Sequence, residues 1–228
     1  MQIKSKFLRA SMVALDLVRT KDPKVSLGHG SILTRVRQDK ILSKLGVTLD
    51  SYEFDIKESL TYSNEKLFED FCLQVSSQSL ASNPDLIGFG AFVWNEAHIQ
   101  RIIKILRNKL HFKGLICLGG PQVTYSPAGT LEQFYPNVDY FIRGYAEDSF
   151  ARLLELLASK TPTQAISGVH SFGTPDLGLQ SKTDIENLPS PFLHSVFDLK
   201  RTFIRWETTR GCPFSCAFCQ HRDSYSSR

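Results

Sequence analysis

The sequence predicts an α/β fold, a doubly wound parallel sheet with helices on both faces, and three observations predict it. Short β-rich runs alternate with runs of helical period from Ser11 to about Lys160, the pattern of βαβ units. Apolar stripes at helical spacing fall between the strand candidates, as core-facing crossover helices require. The composition, 42% hydrophobic and 22% charged over 228 residues, is that of a globular chain long enough for one full core and the start of another.

Taken in order, the strand candidates are Met12–Val18, Val47–Phe54, Leu86–Phe92, Leu115–Leu118 and Tyr140–Ile142. The helical stripes are Phe68, Phe71, Cys72 and Val75, then Ile99, Ile102, Ile103, Leu106 and Leu110, then Phe150, Leu153, Leu154 and Leu157. Asn95, just ahead of the second stripe, is placed to cap that helix. Five strands with helical crossovers make a Rossmann-like, flavodoxin-like domain over residues 1–160. Open sheets of this kind bind ligands beyond the carboxyl ends of their strands. That rule points to the loops at Ser26–Gly30, Ala91–Asn95, Gly119–Gln122 and Gly144–Glu147. From residue 161 to 201 the breakers Pro162, Gly168, Gly173, Pro175, Gly178, Pro189 and Pro191 mark a linker, with a small hairpin expected around Val169–Phe172. Thr202–Thr208 reads as a further strand leading into a cysteine-rich loop.

Charge and cysteine usage narrow the function classes. A net charge of +4 with scattered basic residues lacks the footprint of a nucleic-acid binder, and Lys4, Lys6 and Arg9 read as a solvated face. Met12–Val18, the only apolar run near the N-terminus, is too short for a signal peptide or a membrane span, so a cytoplasmic protein is expected. Three of the five cysteines crowd into eight residues, which is metal spacing and not a secreted disulfide framework. Cys72 and Cys117 sit in apolar runs and are read as small buried hydrophobes.

The segment Thr208-Thr209-Arg210-Gly211-Cys212-Pro213-Phe214-Ser215-Cys216-Ala217-Phe218-Cys219 contains C-x3-C-x2-C with an aromatic residue before the last cysteine. It resembles the cluster loop of the radical S-adenosylmethionine (SAM) superfamily. The resemblance implies that Cys212, Cys216 and Cys219 hold a [4Fe-4S] cluster whose fourth iron binds SAM, with Phe218 covering the cluster near the adenine. Three thiolates can hold three irons of such a cube and leave one open. The competing reading is zinc, with His221 or Asp223 as a fourth ligand. Against it stand the strand leading into the loop and the lack of a second cysteine pair.

The upstream domain resembles the cobalamin-binding module that precedes many radical SAM barrels. The matching stretches run from Asp85 to Asn95, from Leu118 to Val123, from Val138 to Glu147 and, in the linker, from Ile185 to Pro191. This implies cobalamin contacts at Ala91, Gly119, Gly120, Pro121 and Gly144, with Gly119-Gly120 letting backbone approach a bulky ligand. The chain departs from the pattern in having no Asp-x-His-x-x-Gly segment; His29 lies in the right general loop and is expected to be solvated. Ala91 stands where a serine is common, and Gly144-Tyr145-Ala146-Glu147 replaces the usual Gly-Glu-Gly-Glu. Residues 202–228 are then the start of a radical SAM barrel, and the chain is expected to be a fragment or truncated product that does not complete a SAM pocket. The resemblance implies SAM cleavage and methyl transfer to an unknown substrate, with an external electron donor as partner. Two other readings stay open: a non-catalytic cobalamin carrier with a vestigial cysteine loop, and a zinc-stabilised Rossmann-like regulatory domain.

Overall fold

A computed structural model describes residues 7–19, 26–60, 64–161, 165–197, 204–212, 214 and 216–219. Lys4, Lys6, Pro162, Thr202, Phe203, Pro213, His221 and Asp223, which carried expectations above, lie outside the described residues.

One six-stranded sheet organises the chain. Strands β1 (Arg9–Asp16), β2 (Thr48–Asp55), β3 (Leu86–Gly90), β4 (Leu115–Gly119), β5 (Tyr140–Ile142) and β6 (Val169–Ser171) lie in the order β2-β1-β3-β4-β5-β6. The first five are parallel and β6 is antiparallel to β5. This is the flavodoxin-like order with an added edge strand. The expected hairpin around Val169–Phe172 is instead this edge strand of the main sheet, because the exposed rim of β5 offers unpaired N–H and C=O groups that a neighbouring extended segment satisfies. Strand β1 starts and ends earlier than its apolar run suggested, since Arg9 already pairs with Thr48 and Asp85 accepts a hydrogen bond from the Arg9 amide.

Strand alternation divides the core into two layers. On one face Val13, Ile87, Phe89, Ile116, Leu118 and Phe141 pack against α3 (Glu65–Ser79) and α4 (Glu96–Lys104), through Cys72, Val75, Ile99, Ile102 and Ile103. On the other, Ala10, Met12, Leu86, Cys117 and Ile142 meet α1 (Leu27–Arg37) and α7 (Glu147–Ser159), through Leu33, Val36, Phe150, Leu153 and Leu154. The stripe that starts at Ile99 is α-helical only to Lys104 and continues as a π-helical turn, Ile105–Lys109, closed by the Leu110 amide on the Ile105 carbonyl. Short helices α2 (Lys40–Lys44), α5 (Pro121–Thr124) and α6 (Leu131–Phe134) complete the connections.

Of the strand expected over Thr202–Thr208, residues 204–208 are described and form no regular secondary structure. A strand needs a hydrogen-bonded neighbour, and no described strand pairs with this segment. Among the described residues no helix is long and apolar enough to cross a membrane.

Candidate functional site

The strand order reverses between β1 and β3, and a cavity of about 930 Å³ opens there at the carboxyl ends of the strands. Its depth comes from small residues. Ala14, Gly88, Gly90, Cys117 and Gly119 occupy alternate positions on the face toward α1 and α7, with Gly88 opposite Cys117 and Gly90 opposite Gly119. Bulkier side chains would fill the space between sheet and helices. Here a slot remains, walled by His29 and Ile32 of α1 and Phe150 of α7.

Two residues shape the mouth through the backbone. Gly120, at φ 95° and ψ 179°, is in a region open essentially to glycine alone. A Cβ there would lie 2.6 Å from the Ala91 carbonyl oxygen. Its first demand is therefore the crossing of two backbone segments, while Gly119, whose Cβ would make only ordinary contacts, is the one that leaves room in the slot. Asn95 occupies the N-cap position of α4, yet its side chain caps nothing. Fully buried, it accepts from the Phe92 amide and donates to the carbonyls of Leu15 and Gly90, tying the ends of β1 and β3 together. The capping expectation is thus corrected: the side-chain oxygen that would accept from the helix amides takes the Phe92 amide instead, and the side-chain nitrogen, which cannot cap, bonds the strand-end carbonyls.

His29 also differs from expectation. It belongs to α1, is buried, and shares a hydrogen bond of 2.9 Å between Nε2 and Ser51 Oγ. Burial, aided by the Arg37 charge, pushes its pKa down to about 4, so the imidazole in the cavity wall is neutral at physiological pH. At the end of β1, burial pushes the Asp16 carboxyl up, opposed by hydrogen bonds with Trp94 and Ser26 and the charge of Arg205. Phe92 and Trp94 stack at 4.6 Å beside it, and Trp206, also in the lining, is largely exposed.

The segment from Trp206 to Cys212 and Cys219 closes the remaining side of the cavity. Of the residues singled out by sequence, Gly119, Gly120, Pro121, Gly144, Cys212 and Cys219 are brought together in this lining. Ala91 lies fully buried beneath it, Cys216 is exposed, and Phe218 is 94% exposed and covers nothing among the described residues. The Cys219 amide donates to the Cys216 carbonyl, which turns the loop, but no three His, Cys, Asp or Glu side chains converge on one point among the described residues. No disulfide joins any of the five cysteines. Burial pushes the Cys72 thiol up to about 12 and raises Cys117 as well, which leaves both as inert thiols. The donor set of the loop, three thiols with no carboxylate between them, fits an iron-sulfur cluster.

Sequence reasoning passed over the contacts that fasten this loop. Arg210 is buried and donates to Glu147 at 2.6 Å and to Glu207 at 3.0 Å, with its guanidinium 4.8 Å above the Tyr145 ring. Glu147 opens α7, directly after the β5 loop.

Residues 67–154 match the family model of the B12 binding domain. Over 155 residues, 60% of this chain, the sequence is 32% identical to a 2-(S-pantetheinyl)-carbapenam-3-carboxylate methyltransferase of Streptantibioticus cattleyicolor. It is 30% identical over 150 residues to the cobalamin-dependent radical SAM methyltransferase TokK of Streptomyces tokunonensis. The chain spans 22% of the length of each of these relatives. The fold is that of the cobalamin-dependent SAM radical enzyme OxsB, with a TM-score of 0.64 at 18% identity, covering 93% of this chain and 28% of that one.

Proposed function

We propose, for a chain that carries a B12 binding domain and is related to cobalamin-dependent radical SAM methyltransferases, that it binds cobalamin in the slot at the carboxyl ends of β1, β3, β4 and β5 and a [4Fe-4S] cluster on Cys212, Cys216 and Cys219. The observation that carries this reading is a single cavity lined both by the glycines of the sheet end and by Cys212 and Cys219 of the cysteine loop.

Bound, the two groups and SAM would supply reductive SAM cleavage and methyl transfer to a substrate, with an external donor delivering the electron. The chain's own residues do the holding. The slot beside Gly88, Cys117 and Gly119 receives an elongated apolar group, the neutral His29 and the buried wall exclude water, and the loop presents thiols at the cavity's edge. The cobalamin module, expected over residues 1–160, takes in the following segment as far as Phe197, because β6 joins its sheet, Asp176 pairs with Arg143 and Phe197 packs on Gly30; residues 202–228 are assigned to the start of the SAM-binding part, and a cytoplasmic setting suits oxygen-sensitive thiolate chemistry.

Anaerobic iron-sulfur reconstitution tests the cluster: about four irons per chain are expected, and none in the Cys212→Ala, Cys216→Ala, Cys219→Ala variant. Zinc without iron would overturn the assignment. For cobalamin, Gly88→Leu fills the slot. Because a Cβ at Gly88 meets only ordinary contacts, the nearest 3.6 Å from Phe150, this variant is expected to fold, and its hydroxocobalamin affinity in an absorbance titration should fall at least about tenfold, roughly 1.4 kcal/mol. Unchanged affinity would move the cobalamin site elsewhere.

A further inference from the structure

We infer that Tyr145, Glu147 and Arg210 form a clamp that seats the cysteine loop on the cofactor cavity, so that filling the cavity and gathering the thiols around metal favour each other. The inference rests on the proposed cobalamin and metal sites and adds their coupling.

Three separate interactions fasten the same short stretch of loop. Arg210 Nη2 donates to Glu147 Oε1 at 2.6 Å, the guanidinium lies over the Tyr145 ring, and the Tyr145 hydroxyl takes a hydrogen bond from the Gly211 amide. The side chains of Arg210 and Glu147 are each only 4% exposed. Beneath them the fixed jaw is rigid. The Gly144 amide donates to Thr124 Oγ1, the Tyr145 amide donates to the Ser181 carbonyl, and Gly144 itself adopts φ 81° with Ser181 packed where a Cβ would stand. The other jaw, Arg210, stands two residues before Cys212 in the sequence. Holding it therefore sets where the first thiol emerges on the cavity wall.

The clamp is only half satisfied. Glu147 Oε2 and Arg210 Nη1 are buried and find no hydrogen-bond partner among the described residues. A buried ion pair with unfilled hydrogen-bonding capacity is a weak source of stability, and its documented use is in fixing one arrangement over others. All three clamp residues line the cavity, so a ligand there bears on the clamp and, through Arg210, on the loop. Two ligands that favour the same seated loop must raise each other's affinity by the same factor.

The test titrates Zn2+, as a probe of the three thiols, into the whole chain with and without saturating hydroxocobalamin, using the triple-cysteine variant as background. Cobalamin should tighten Zn2+ binding by about tenfold, within the usual range of coupling between sites. In Glu147→Gln the ratio should fall to near one. Glu147→Asp should recover part of it, and Tyr145→Phe, which keeps the ion pair and removes the bond to the Gly211 amide, should lower it partway. Circular dichroism reports folding in each case; if Glu147→Gln does not fold, Tyr145→Phe decides. Coupling absent from the unaltered chain while both ligands bind, or unchanged in the variants, overturns the clamp. Absence of either binding isotherm in the unaltered chain overturns the proposed function itself, and the coupling with it.

Discussion

Replacing Arg143 with Met is expected to lower the melting temperature by roughly 10 °C, from a loss of about 3–5 kcal/mol. Arg143 is among the most deeply buried side chains of the molecule. Its guanidinium meets Asp176 through both carboxylate oxygens, at 3.1 and 2.6 Å, and donates to the carbonyls of Val123, Thr124, Ser126 and Pro127. Methionine fills much of the volume but leaves Asp176 as an uncompensated buried charge, the costly half of a broken pair. Pairing the change with Asp176→Leu should recover part of the loss, so the two effects fall short of additive. The pair also sets an acid limit. Burial raises the Asp176 carboxyl, but hydrogen bonds from Arg143 and the Gly178 and Gly129 amides outweigh it and hold the pKa below the ordinary carboxylate value. A depressed folded-state pKa contributes stability that is present above the unfolded value, near 3.9, and is lost as pH falls through the folded one. Melting curves between pH 6 and 3 should show this acid limb flattened in Asp176→Asn; an unaltered limb would remove Asp176 as its source.

Gly120→Ala is expected to cost about 3–4 kcal/mol and to reduce cobalamin uptake at least about tenfold. Two penalties add. The backbone conformation alone disfavours any Cβ by about 1–3 kcal/mol, and the new atom would press on the Ala91 carbonyl oxygen and amide nitrogen, at 2.6 and 2.8 Å. Ala91 has little freedom to move, because its amide donates to the Gly119 carbonyl and its carbonyl accepts from the Gln122 amide. Relief therefore opens the join between the β3 and β4 ends, where the cavity floor is built. Denaturant melts and a hydroxocobalamin titration check the two effects. A Gly120→Ala chain of normal stability and affinity would show that the crossing is not needed for either.

Much of this architecture could be read in the amino-acid order because buried parallel strands are apolar and compact. Leu115–Leu118 and Tyr140–Ile142 are legible to within a residue, and the glycine-bearing loops expected beyond the ends of β3, β4 and β5 line one cavity. Helix α1 was not anticipated. Gly28 and Gly30 weaken its helical signal, and Gly30 answers to packing, since a Cβ there would lie 2.3 Å from the Phe197 ring. Asn95 suited a cap by position, yet its partners Leu15 and Gly90 come from two different strands. Arg210 and Glu147 lie 63 residues apart, and Arg143 and Asp176 lie 33 apart. No local pattern announces such pairs, because a charge becomes structural only where folding has removed the water around it.

The segment after residue 160 alters what a transplantable unit would be. It returns β6 to the edge of β5, brings Asp176 to Arg143, lays Ser181 against Gly144 and sets Phe197 over Gly30. A unit cut out at residue 160 for grafting elsewhere would carry an unanswered cation, a bare sheet edge and a helix surface stripped of its aromatic cover. The portable piece ends no earlier than Phe197.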